Sequence, residues 1–121
     1  MFDLVILGLL LKHFIVDFLL QTPYMYLNKG TFGHPGGILH ASLHGAATFC
    51  VLLVCGVTLQ IALGWFVFDA VIHYFVDLGK VKINKLYGWT PMSSEKYWWL
   101  LGLDQLLHQL TYVLIAKLVS N

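Results

Sequence analysis

Hydrophobic positions along this chain fall into four long blocks, broken within each block by a few polar residues at a repeated interval. The first block covers residues 2–21. Asp3 offers an N-cap, and the dipeptide Thr22-Pro23 should stop the helix. The second runs from about 38 to 56, after the loop His34-Pro35-Gly36-Gly37, and the third from about 59 to 79. Only Gly56-Val57-Thr58 separates these two, so they form a helical hairpin. The fourth opens at Ser93-Ser94, a plausible N-cap, and continues to about residue 118. About 20 apolar residues of helix cross a bilayer, and each block approaches that length. The pattern predicts an all-α, integral membrane four-helix bundle with up-down-up-down topology, in a single domain over residues 1–121.

Composition agrees. The chain is 59% hydrophobic and 11% charged, whereas a soluble domain carries about 25% charged residues. The first block has no basic n-region and no small-residue cleavage site, and it holds Lys12, His13 and Asp17 in its body, so it reads as a retained helix and not a signal peptide. There is no arginine. Lys29 lies in one longer connection and Lys80, Lys82, Lys85 and Lys96 in the other, while the opposite side has only Lys117. The positive-inside rule then places both longer connections in the cytoplasm and both termini outside. Tyr24, Tyr26, Tyr87, Trp89, Tyr97, Trp98 and Trp99 gather on the same side, as an interfacial aromatic belt does. The net charge of +1 gives no footprint for nucleic acid. Cys50 and Cys55, five residues apart, read as two small buried apolar residues.

The polar residues inside the blocks carry the chemistry. His13/Asp17, His40/His44, His73/Asp77 and Asp104/His108 are each four residues apart, so each pair shares one helix face, about 6 Å apart along the axis. With Asp69/His73 there are five such pairs, where random placement would give roughly one. Ionisable residues in apolar spans are costly and mark function. Chain direction adds an independent test. In an up-down-up-down bundle the pairs share one depth only if they fall late in the first and third helices and early in the second and fourth, and they do.

Eight such ligands suit two ions better than one, and dimetal sites in bundle cores are built this way. Five imidazoles with three carboxylates favour zinc, with iron or manganese also suitable. Two divalent ions bring four positive charges, which Asp17, Asp77, Asp104 and one bridging hydroxide would cancel, leaving the neutral cluster that a bilayer tolerates. Gln21, Thr48, Asp69 and Tyr112 continue the same stripes and are candidates to orient the ligands. Lys12 lies at the depth of Asp69 and could pair with it. Lys80, Lys82 and Asn84, just past Asp77, are candidates to bind a lipid head group. Gln105 and Gln109 read as interhelical hydrogen-bonding residues, and His34 as solvated.

His13-x-x-x-Asp17-Phe18-x-x-Gln21, His40/His44, His73-x-x-x-Asp77 and Asp104-Gln105-x-x-His108 together resemble the small bacterial and phage membrane proteins catalogued as domain of unknown function 3307, over nearly the whole chain. The likeness implies a membrane bundle in a bacterial inner membrane and carries no reaction. More distantly, the pattern is similar to the membrane-bound metal-dependent hydrolases. The leading expectation is a dimetal hydrolase acting on a membrane lipid or lipid-linked phosphoester, with the bilayer as partner and homo-oligomerisation compatible with it. The alternatives are a zinc-type transport or binding protein, a non-haem di-iron oxidase, and a structural phage or host membrane protein stapled by its metal.

Overall fold

The computed structural model describes residues 1–121 and is entirely helical. Helix α1 spans Phe2–Phe14 and passes directly into a π-helical turn at Ile15–Leu19. A short helix α2 covers Pro23–Tyr26, followed by α3 at Pro35–Val54, α4 at Leu59–Tyr87 and α5 at Glu95–Val119. The four long helices close a ring. Helix α1 packs on α3 and α5, and α4 packs on α3 and α5, with the α3–α4 hairpin forming the largest interface. Helices α3 and α4 are long and apolar enough to cross a membrane.

Local chemistry explains the element ends. Helix α3 starts three residues earlier than expected because His34 caps it: its Nδ1 accepts from the Gly36 amide at 3.0 Å, and Pro35 occupies the first turn, where its missing N–H costs nothing. Helix α4 continues eight residues past Gly79. Hydropathy falls there, but nothing in Lys80–Tyr87 breaks a helix, and the stop comes at Gly88, in the left-handed conformation (φ +66°) with the Trp89 amide donating back to the Asn84 carbonyl. Helix α5 opens at Ser94, whose hydroxyl accepts from the Lys96 amide. Asp3 lies in the first turn of α1 and is not its cap, which is Met1.

The first block departs most from a regular helix. The Leu20 amide donates to the Ile15 carbonyl, five residues back, so one extra residue is wound into the turn that carries Asp17. The Asp17 carbonyl receives the side chain of Gln21, whose Nε2 donates at 2.9 Å. That bond occupies a carbonyl at the helix end, where no further amide follows in register.

The interior divides into two halves. Val5, Leu9, Leu52, Val57, Ala62, Tyr112, Ile115 and Ala116 form an apolar core around the start of α1, the α3–α4 turn and the end of α5. The other half is polar: Lys12, His13, His40, His44, Thr48, Asp69, His73, Asp77, Asp104 and His108 are all buried. Large apolar side chains instead cover the outside, including Leu4, Leu11, Phe18, Val67, Phe75 and Leu110. Cys50 is exposed and Cys55 half-buried, and both are free thiols. The expectation of two buried cysteines fails because residue 50 lies on the outer face of α3 and residue 55 is its C-cap.

Helix α3 approaches α4 closely at Gly45. A Cβ there would stand 2.5 Å from the Phe66 carbonyl oxygen and 3.0 Å from the Ala70 methyl. The glycine, next in sequence to His44, lets the two backbones meet.

Candidate metal centre

All eight side chains of the four spaced pairs converge in the polar half. Each of the four long segments contributes, because the antiparallel register brings the end of the first segment beside the start of α3, and the middle of α4 beside the first half of α5. Asp17 stands on the π turn and faces α3: its Oδ1 lies 2.8 Å from His44 Nε2 and 3.2 Å from His40 Nε2. Asp77 faces three imidazoles. Its Oδ2 is 3.3 Å from both His40 Nε2 and His73 Nε2, and its Oδ1 is 3.4 Å from His108 Nε2. The rings of His44, His73 and His108 form a continuous stack, with centroids 3.5 and 3.9 Å apart.

Two groups are tight enough to hold a metal ion. Asp17, His40, His44 and His73 each offer one donor atom, all within 4.8 Å of one another. His73, Asp77 and His108 form the second group on the same criterion, so His73 is common to both. Both nitrogens of His40 and His73, together with Asp77 Oδ2 and Asp104 Oδ1, are buried and have no hydrogen-bond partner. Buried polar atoms are normally satisfied, and such a concentration of exceptions calls for a reason. Ligand spacing supplies one. Donors on a tetrahedron with bonds of about 2.0–2.1 Å stand about 3.3–3.4 Å apart. The contacts from Asp17 and Asp77 to His40, from Asp77 to His73 and His108, and from Asp104 to His108 span 3.2–3.4 Å.

His13 and Asp104 stand at the edge of this arrangement. His13 Nδ1 lies 2.8 Å from the Tyr112 hydroxyl, and its Nε2 lies 2.9 Å from Gln105 Oε1 and 3.1 Å from Asp17 Oδ2. Asp104 Oδ2 accepts from Lys80 Nζ at 3.1 Å and from Gln105 Nε2 at 3.0 Å. Both side chains reach the cluster, but both have partners of their own.

The orienting residues fall largely where their stripes place them. Lys12 Nζ donates to Asp69 Oδ2 at 2.6 Å and to the His44 carbonyl at 3.1 Å. The Thr48 hydroxyl donates to the same Asp69 oxygen. This buried ion pair closes the cluster on the side of the apolar core. Gln109 is exposed, while Gln105 takes the interhelical role.

Two lysines at the opposite end reach the cluster itself, a contact the sequence did not reveal for either. Lys29 lies 3.5 Å from Asp77 Oδ2 and donates to Gln21 Oε1 at 3.1 Å. Lys80 lies 3.9 Å from Asp77 Oδ1 in addition to its bond with Asp104. Falling hydropathy after Gly79 makes residues 80–96 look like a connection, whereas α4 continues to Tyr87. On a helix Lys80 is one turn from Asp77, and Asn84 and Gly88 continue its face. Lys82 points elsewhere, 6.0 Å from the Phe32 ring centroid, and does not accompany Lys80 and Asn84.

No curated protein and no solved structure matches this chain. A family model described as "Protein of unknown function (DUF3307)" matches residues 5–121.

Proposed function

The chain belongs to the DUF3307 family, and we propose that it is an integral membrane protein holding a dinuclear metal centre that hydrolyses a lipid or lipid-linked phosphoester. One observation carries the metal reading: four helical segments bring nitrogen and oxygen donors together with the spacing of metal ligands, and buried donor atoms of His40, His73, Asp77 and Asp104 among them have no hydrogen-bond partner. His73 Nε2 has one lone pair and serves one ion. Asp17, His40 and His44 then hold the first ion, with His13 beside them, and His73, Asp77 and His108 hold the second, with Asp104 beside them. Asp77 reaches both sets, since its Oδ2 faces His40 and His73 while its Oδ1 faces His108. Zinc fits this nitrogen-rich donor set best, and iron or manganese fits it next.

The inverted distribution of polarity supports membrane insertion. Water-soluble folds seldom bury so many ionisable groups beneath an apolar exterior, whereas a bilayer favours that arrangement. With the longer connections cytoplasmic, the centre opens toward the cytoplasmic leaflet. Two divalent ions would lower the pKa of a shared water and polarise a phosphoryl oxygen. The protein's own share is to keep the site dry on the side of the apolar core and to present Lys29 and Lys80 on the other.

Elemental analysis of the purified chain should find close to two transition-metal ions per protein. Asp77→Ala should remove most of this metal, and it should also lower the thermal midpoint by several degrees, because a ligand that binds only the folded state stabilises it. Wild-type protein that stays free of metal when purified and supplied with zinc, iron and manganese would refute the centre. With metal present, absence of phosphate release from lipid phosphoesters would refute the hydrolase.

A further inference from the structure

The open end of the polar half leads into a cavity of about 480 Å³, within the range of small-molecule sites. Lys29, Lys80, Asn84 and Lys85 line it. Lys29 and Lys80 are the same side chains that reach Asp77 and Asp104, so the cavity and the cluster share a wall. Asn84 Oδ1 is buried without a hydrogen-bond partner, which leaves the amide able to reorient toward a ligand. No acidic side chain lines the cavity.

We propose that this cavity binds the dianionic phosphate of a phosphomonoester, with Lys29, Lys80 and Lys85 as its cationic contacts and Asn84 as its amide contact. The inference rests on the dinuclear reading for its charge count. In that reading Asp17, Asp77, Asp104 and one hydroxide offset two divalent ions, and Lys12 and Asp69 offset each other. Lys29 and Lys80 are then uncompensated, which leaves two positive charges at the mouth, and Lys85 adds a third from the solvent side. A phosphate monoester carries about −1.5 to −2 charge near neutral pH, which nearly offsets Lys29 and Lys80 together, whereas a diester carries one negative charge and would offset only one of them. The ammonium groups also match the acceptor-only character of phosphate oxygens. Tyr26, Trp89 and Tyr97 also stand on its wall, and such aromatic residues suit the level of lipid head groups.

Binding is measured on the full chain in phosphatidylcholine nanodiscs, with three probes: phosphatidate in the disc, glycerol 3-phosphate in solution, and inorganic phosphate. Metal content is determined on the same samples. Lys85→Ala and Lys29→Ala should each weaken phosphate binding about tenfold, the loss of one charge-assisted contact, while Lys82→Ala leaves it unchanged. Lys85 is exposed and makes no contact with the cluster, so its variant keeps the wild-type metal content and thermal midpoint. Tighter binding of phosphatidate than of glycerol 3-phosphate assigns the phosphate to a lipid, and equal binding assigns it to a soluble molecule; both support the cavity. Unchanged affinity in Lys85→Ala and Lys29→Ala, or no phosphate binding by metal-loaded wild type, overturns it and leaves the metal centre standing. Lysine-dependent phosphate binding by protein that takes up no metal would do the reverse.

Discussion

His73 is the residue on which the cluster turns. Its ring lies between those of His44 and His108, and it belongs to both donor groups. His13 is its opposite in character, with one ring nitrogen beside a tyrosine hydroxyl and the other beside a glutamine oxygen. Spacing alone ranks the two equally, since each opens an HxxxD pair. The structure separates them by the company they keep. His73→Ala should cost at least one of the two ions, whereas His13→Gln should retain most of the metal. Metal-to-protein ratios of the two variants test this, and a greater loss from His13→Gln would contradict the assignment. The pairing of Lys12 with Asp69 was legible because both fall at one depth on facing segments. That Lys80 reaches Asp104 was not, because the helix bearing it was expected to end at residue 79.

At the scale of the element, the π turn at Ile15–Leu19 and the Gly45 contact set the position of Asp17 and His44. An extra residue in the turn rotates Asp17 relative to an α-helical continuation, and its carboxylate meets both His40 and His44. Hydropathy cannot reveal such a turn, because the composition of IVDFL is the same for α- and π-winding. Gln21 was visible only as the next polar position on the stripe, and its bond to the Asp17 carbonyl gives that position a reason. Gly45→Leu should push α3 away from Phe66 and Ala70, and overpacking of this kind typically costs about 1–3 kcal/mol. Because His44 adjoins the contact, metal affinity should fall as well. Unfolding in denaturing detergent and zinc titration read the two effects separately, and unaltered zinc affinity would show that the close approach does not position His44. The hairpin turn, the cap at Ser94 and the end of the first block before Pro23 were all readable, since glycine, serine and proline act locally. Helix α2 was not, as four residues carry too little periodicity to register.

For the whole molecule, chain direction was the decisive sequence signal. It required the four polar pairs to meet at one level, and the antiparallel ring of helices brings them there. What sequence could not supply was the division of the interior along its length, because residues as far apart as Val5, Leu52 and Ile115 have to be seen together before they read as one core. That apolar core makes the bundle a cul-de-sac. Whatever enters beside Lys29 and Lys80 has to leave beside them, so the fold is a poor conduit and gives the protein a front door but no back one. Sidedness then becomes measurable without knowing the substrate. In sealed vesicles of uniform orientation, a membrane-impermeant chelator should strip metal from one face only and leave it in place from the other. Stripping at equal rates from both faces would show that the plug leaks and would reopen transport as the role of the centre.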